Sequence, residues 1–107
     1  MYYELRTYTA APGKLEDLQT RFREHTIRIF AKHNINIVGF WTPDEPGNNK
    51  LVYLLSYPDR ASCDAAWKAF RSDPEWLEAK GNSEINGVLT AGIESQFLKP
   101  TDYSPLK

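Results

Sequence analysis

The sequence predicts a single α+β domain in which helices cover one face of an antiparallel four-stranded sheet. Residues 35–41 and 50–57 are short apolar runs of strand length, rich in β-branched and aromatic side chains. Apolar residues recur instead at every third or fourth position over residues 15–29 and 63–70, which is the spacing of an amphipathic helix. Strand and helix signals therefore alternate within one short chain.

Composition narrows the class of protein. Thirteen basic and fourteen acidic residues leave a net charge of -1 and form no basic cluster, so we expect no nucleic-acid partner. No apolar stretch reaches the roughly 20 residues that cross a bilayer, and no signal-peptide pattern opens the chain. Cys63 is the only cysteine, which excludes an internal disulfide. We therefore expect a cytoplasmic protein without a membrane span.

The first strand and the first helix are separated by a break at residues 11–13. Residues 2–9 alternate and are rich in tyrosine and threonine, which predicts a strand. The apolar stripe of the helix consists of Leu15, Leu18, Phe22, His25 and Ile29. We therefore expect His25 to face the core. The helix is expected to end near Asn34, because asparagine tolerates the left-handed backbone that often follows a helix.

The second and third strands, residues 35–41 and 50–57, carry apolar residues on both faces. In the third strand, Leu51, Tyr53, Leu55 and Tyr57 share one face, and Val52 and Leu54 share the other. Strict alternation in the second strand places Trp41 on the same face as Ile35 and Ile37. We expect helices to cover one face of the sheet and a second copy of the chain to cover the other. The alternation alone does not say which face meets the helices.

The second half of the chain predicts two more helices and a last strand. Asp59 can cap a helix that carries the stripe over residues 63–70. Asp73 followed by Pro74 marks another helix start, because proline suits the first helical position. Beyond this helix, residues 81–87 are predicted as loop and residues 88–98 as the fourth strand.

The predicted order of elements is strand, helix, strand, strand, helix, strand. This βαββαβ order is that of the ferredoxin-like fold, in which an antiparallel four-stranded sheet has its helices on one face. The domain is expected to span residues 1–99, and residues 100–107 form a polar, proline-bearing tail. Two such sheets packed face to face would form a dimeric α/β barrel.

Segments along almost the whole chain are similar to those of one known family. They are residues 3–8 (YELRTY) with Pro12 and Gly13, His33 with residues 38–41 (VGFW), residues 53–57 (YLLSY), and residues 67–70 (WKAF) with residues 73–76 (DPEW). In these segments the chain resembles the NIPSNAP family of the dimeric α/β-barrel superfamily. Asn34 stands where such proteins usually carry glycine, and it can adopt the same backbone conformation.

This resemblance implies a homodimer through the sheet face and a small-molecule-sized cavity between the sheet and the helices of each subunit. It does not imply one reaction, because the superfamily contains cofactor-independent oxygenases, isomerases, haem enzymes and members without known activity.

Three polar residues are candidates for catalysis: His25, Arg6 and Tyr8. A core-facing histidine titrates near neutral pH and could carry a proton, but a hydrogen-bonded structural histidine is the alternative. Arg6 and Tyr8 share one face of the first strand with Glu4. They could hold an oxygen atom of a ligand, or they could form an ion pair and cross-strand contacts at an edge or a dimer seam.

Four aromatic residues are candidates for the walls of a ligand pocket: Trp41, Tyr53, Trp67 and Trp76. The alternative is that these side chains only fill the core. The two histidines lie far apart and no Cys-x-x-Cys pair occurs, so we expect no metal. The chain has no glycine-rich phosphate loop, and analogy with the superfamily implies a site without a cofactor. The haem enzymes of the superfamily commonly place a histidine ligand near the second helix, and residues 60–87 contain none.

These observations lead to two hypotheses of function. The first is a homodimer that binds a small hydrophobic ligand and, by analogy with the superfamily, acts as a cofactor-independent oxygenase or an isomerase on an enolisable substrate. His25 would then carry the proton, with Arg6 and Tyr8 as polar anchors. The second hypothesis is a non-catalytic dimeric interaction module, whose cavity is filled by its own aromatic side chains.

Overall fold

A computed structural model describes residues 1–107 and confirms the ferredoxin-like α+β fold. The four strands are β1 (Tyr2–Ala10), β2 (Asn36–Trp41), β3 (Lys50–Tyr57) and β4 (Thr90–Leu98). They form one antiparallel sheet in the order β2-β3-β1-β4. The first and last strands along the chain are therefore neighbours, with β4 at one edge of the sheet and β2 at the other.

The helices occupy the two connections that the sequence predicts. They are α1 (Leu15–Arg21), a π-helical turn (Phe22–Thr26), α2 (Ile27–Lys32), α3 (Arg60–Arg71) and α4 (Pro74–Ser83). The first three run on without a break as one helix. The last helix includes residues 81–83, which the sequence assigned to a loop, and β4 begins at Thr90 instead of at the predicted residue 88.

The predicted helix boundaries rest on local hydrogen bonds. The Asp59 carboxylate accepts the backbone N–H of Ser62 at 2.8 Å, and the Asp73 carboxylate accepts that of Glu75 at 2.8 Å. Asn34 has a φ of 60°, so it takes the left-handed conformation expected after α2.

The π-helical turn changes which residues of the first helix face the core. Thr26 is buried with 2% of its surface exposed, whereas His25 is only half-buried. The prediction that His25 faces the core is therefore wrong. A π turn holds more residues than an α turn, so it rotates the following side chains back around the helix axis by about one position. The Thr26 hydroxyl donates to the carbonyl of Arg21 at 3.3 Å inside this turn.

A β-bulge in β2 has the same effect on Trp41. Ile37 pairs with Leu55, but Gly39 pairs with Leu54, so Val38 is an extra residue between them. The alternation resumes one residue late, and Trp41 lies on the face opposite Ile37. Its ring covers Gly39, where an added Cβ would lie 2.8 Å from the ring atom Cη2.

The structure also decides which face of the sheet meets the helices. Leu51, Tyr53, Leu55 and Tyr57 belong to one hydrophobic core with residues from the helices, among them Leu18, Phe30, Cys63 and Phe70. The opposite face, here called the open face, carries the half-buried side chains of Leu5, Val52 and Leu54 together with exposed Trp41. No helix of the chain covers the open face.

Candidate functional site

Arg6 lies at the centre of a hydrogen-bonded network on the helix-facing side of β1. Its Nε donates to the Tyr53 hydroxyl at 2.8 Å, its Nη1 donates to Glu4 at 2.9 Å, and its Nη2 donates to the Tyr8 hydroxyl at 3.1 Å. The guanidinium also stacks over the Trp67 ring, 4.3 Å from a ring centroid. The antiparallel register builds this arrangement, because it pairs Arg6 with Tyr53 across β1 and β3.

Glu4 is the buried anion of the network, with 2% of its surface exposed. Besides Arg6, its carboxylate accepts hydrogen bonds from the Tyr57 hydroxyl (2.8 Å), the Trp67 indole N–H (2.8 Å) and the Ser95 hydroxyl (2.5 Å). Burial alone would raise the pKa of Glu4, but the hydrogen bonds from Ser95, Tyr57 and Arg6 outweigh it, and the pKa is lowered. The Glu4–Arg6 ion pair, one of the two alternatives for this face, is therefore present, but in the interior instead of at an edge or a seam.

Each tyrosine hydroxyl of the network forms a hydrogen bond with Arg6 or Glu4. Burial raises the pKa of Tyr57 and that of Tyr53 well above the ordinary value, so both remain protonated donors. Tyr53 donates to the oxygen of Tyr8 at 2.8 Å, and Arg6 donates to the same oxygen. With two donors already on its oxygen, Tyr8 has its own O–H free to donate to a ligand.

Tyr8 borders a cavity of about 160 Å³ between the sheet and the helices. The apolar part of its wall consists of Tyr8, Phe22, Phe30, Trp67, Phe70, Trp76, Val88 and Ile93. A drug-sized ligand needs about 300 Å³ or more, but an apolar cavity of about 150 Å³ in another protein holds a benzene ring. The cavity is therefore large enough for about one six-membered ring.

Charged side chains border the same cavity on the side of α4. Arg21 is buried, and its Nη1 donates to the Ser83 hydroxyl at 3.1 Å and to Glu84 at 3.2 Å. Lys80 donates to the other oxygen of the Glu84 carboxylate at 2.8 Å. Burial would raise the pKa of Glu84, but hydrogen bonds from Lys80 and Arg21 lower it, so this carboxylate is ionised at neutral pH.

His25 lies in a different place, a polar groove at the surface between the first helix and α4, here called the outer groove. This groove has a volume of about 550 Å³, and its wall includes Asp17, Glu24, His25, Arg28, Glu75 and Glu78. Arg28 and Glu75 form an ion pair across it. Arg21 borders both the groove and the cavity, so it forms part of the wall between them.

The structure brings together four of the seven residues that the sequence singled out: Arg6, Tyr8, Tyr53 and Trp67. Trp76 is a fifth member, in the cavity wall, where its ring packs against Phe70 with centroids 4.7 Å apart. His25 lies in the outer groove and Trp41 on the open face, so neither borders the cavity. Tyr53, predicted as a pocket wall, and Arg6 lie behind Tyr8 in the network and do not border the cavity either. Their directions depend on the π-helical turn and the β-bulge.

Arg21, Glu84 and Ser95 are parts of the site that no sequence pattern predicted. Arg21 directly precedes the π-helical turn, and its surroundings depend on how α4 packs across it. Ser95 reaches Glu4 only because β4 returns to pair with β1, where the register sets Arg6 opposite Ser95. The βαββαβ order implies that β4 pairs with β1, but it does not fix the register that sets Ser95 opposite Arg6.

The chain belongs to the NIPSNAP family, whose sequence pattern it matches over residues 3–105. The match takes in most of the tail, so the boundary at residue 99 stays a prediction. No curated protein matches the chain. None of the helices is both long and apolar enough to pass through a membrane, and the cytoplasmic location stays a prediction from the sequence.

Solved structures of the same family are similar over their whole length. An uncharacterised NIPSNAP domain protein from Burkholderia xenovorans is 25% identical, with 98% of this chain and 99% of that chain covered and a TM-score of 0.83. A NIPSNAP family protein of unknown function from Agrobacterium tumefaciens is 25% identical, with 100% and 94% covered and a TM-score of 0.85. The fold is shared with a protein from Nitrosomonas europaea provisionally named an antibiotic biosynthesis monooxygenase, at 11% identity, 94% and 98% coverage and a TM-score of 0.65.

Proposed function

We propose that this NIPSNAP protein binds a small hydrophobic metabolite in the cavity beside Tyr8. The observation that carries this proposal is the cavity itself, about 160 Å³ of space with aromatic walls and a polar network at one side. Small-molecule sites are typically concave and apolar, with a few fixed polar groups. Here the free O–H of Tyr8 is such a group, because Arg6 and Tyr53 hold its oxygen in place.

Benzene is the probe for this proposal, because its size matches the cavity. We expect benzene to raise the unfolding temperature of the protein and to change the fluorescence of Trp67 and Trp76, which border the cavity. Val88→Trp should abolish both effects, because a tryptophan at this position of the cavity wall would fill the space. Val88 is largely exposed, so the protein should tolerate the larger side chain.

Ile85→Trp is the matched control for this experiment. Ile85 is an exposed residue of the same connection and is not in the cavity wall, so benzene should still bind. If benzene has no effect on the wild type, or binds the Val88→Trp variant as well as the wild type, the proposal of a ligand cavity is wrong.

The activity that fits this site is stabilisation of an enolate, the step shared by a cofactor-independent oxygenase and an isomerase. An enolate oxygen would accept a hydrogen bond from Tyr8, with the Arg6 charge directly behind it. His25 does not border the cavity, so it is not the proton carrier in this scheme. The proton of the substrate carbon passes to solvent or buffer base.

Exchange of the α-hydrogens of cyclohexanone in D2O, followed by NMR, tests this activity. We expect the protein to accelerate the exchange and Tyr8→Phe to lower the acceleration by about 100-fold, which is typical for the loss of one oxyanion donor. His25→Ala is the control and should leave the rate unchanged. Loss of exchange in His25→Ala but not in Tyr8→Phe would move the chemistry to the outer groove.

A homodimer through the open face is part of the same proposal. Leu5, Val52 and Leu54 form an apolar strip there, and Trp41 lies beside them with 53% of its surface exposed. A second copy of this face would bury that strip and form the dimeric α/β barrel.

The non-catalytic module remains the second candidate, because of one observation. The polar atoms of Tyr53, Tyr57 and Trp67 all bond within the protein, as expected for aromatic residues that only fill a core. The benzene experiment separates the two candidates, since a core without a usable cavity would not respond.

A further inference from the structure

The buried guanidinium of Arg21 has one N–H group without a hydrogen-bond partner. Arg21 is 5% exposed, and its Nε is the one buried side-chain N or O atom of the protein without a hydrogen-bond partner. A buried donor without a partner is costly, and native structures satisfy nearly all of them. Because Arg21 borders the ligand cavity, an acceptor atom of a ligand bound there would give this guanidinium a further hydrogen-bond partner.

The charge at this side of the cavity favours an anionic acceptor. Arg21 and Lys80 are two cations that share a single carboxylate, Glu84, so one positive charge is left over. Deeper in the site, Glu4 and Arg6 neutralise each other. The nearby acidic residues Asp17, Glu24 and Glu78 border the outer groove and not the cavity. Arg21 borders both spaces, and within the cavity wall Glu84 is the one carboxylate beside the two cations Arg21 and Lys80, so the wall carries one positive charge in excess.

We propose that the ligand is a small monocarboxylate, whose ring-sized apolar body fills the cavity and whose carboxylate pairs with the guanidinium of Arg21. This inference rests on the proposed function and specifies the class of ligand. The Arg21 guanidinium also lies over the Trp76 ring, 5.2 Å from its centroid, so a planar ligand would find an aromatic wall next to its anchor. The volume of about 160 Å³ limits the body of the ligand to about one ring.

The test compares benzoate with benzamide by isothermal titration calorimetry, because the two have the same shape and differ in charge. We expect the wild type to bind benzoate about tenfold more tightly, since hydrogen bonds to charged groups are the stronger ones. Arg21→Gln should bring the two affinities to within about twofold of each other by removing the guanidinium and its charge. Lys68→Gln, at an exposed position of α3, is the charge-matched control and should keep the preference.

Lys80→Gln keeps the test decisive if Arg21→Gln does not fold. Lys80 is about half exposed, so its loss should be tolerated, and the preference for benzoate should fall because the excess charge is gone. Equal binding of benzoate and benzamide by the wild type would overturn the inference, as would a full preference in both variants. If either result is found and benzene still binds, the proposed ligand cavity stands and only the proposal that the ligand carries a carboxylate is wrong.

Discussion

Arg6→Met is expected to destabilise the protein by about 3–5 kcal/mol, the usual result of removing one partner of a buried ion pair. The Glu4 carboxylate would stay in the interior with 2% of its surface exposed and no opposite charge beside it. Its remaining donors, Tyr57, Trp67 and Ser95, are neutral. Urea unfolding followed by circular dichroism measures the effect.

Two further variants decide whether the buried charge is the cause. Arg28→Met breaks an ion pair with Glu75 that is exposed to solvent, so it should shift the urea midpoint far less. Glu4→Gln combined with Arg6→Met removes both charges, and this double variant should be more stable than Arg6→Met alone. If Arg6→Met unfolds at the same urea concentration as the wild type, the buried pair of Glu4 and Arg6 does not stabilise the protein in the way the network implies.

Leu54→Glu is expected to separate the proposed homodimer into folded monomers. Leu54 lies in the middle of the open face, between Leu5 of β1 and Gly39 of β2 in the register. A carboxylate in an apolar interface loses its hydration without gaining a partner. We expect the dimer to weaken by at least about 30-fold, equivalent to the roughly 2 kcal/mol that defines an interface hot spot.

Sedimentation velocity over a range of protein concentrations measures this change, and circular dichroism checks that the variant is folded. Leu77→Glu is the matched control, since Leu77 is an exposed leucine of α4 and lies on the helix side of the sheet. A wild type that is monomeric at micromolar concentration would contradict the dimer. A Leu54→Glu variant that remains dimeric would place the interface on another surface.

Much of this fold follows from local sequence signals. Asp59 and Asp73 cap helices where their positions predict, and Asn34 takes the left-handed conformation at a helix end. These features depend on a few neighbouring residues, so the sequence is sufficient to find them. The polar face of Glu4, Arg6 and Tyr8 was also readable, because the strand they share has no irregularity between residues 4 and 8.

The two wrong orientations have a common cause. His25 and Trp41 each follow the start of a one-residue insertion, the π-helical turn in one case and the β-bulge at Val38 in the other. A pattern of period 3.6 or 2 assigns faces by counting, and one extra residue shifts the count for the residues that follow, although Ile29 beyond the π-helical turn is buried as predicted. The π-helical turn carries no glycine or proline that would mark it locally, whereas Gly39 next to the bulge is a signal of the kind that often marks one.

The sequence by itself determined the order of strands and helices, the caps that bound them, and membership of the family. Only the tertiary structure decided which face of the sheet the helices cover and which polar groups meet at the cavity. Periodicity and capping are local, whereas the direction of a side chain depends on the rotation accumulated along its element. The partners of Arg21 are more than 60 residues away along the chain, on a helix whose position is set by packing.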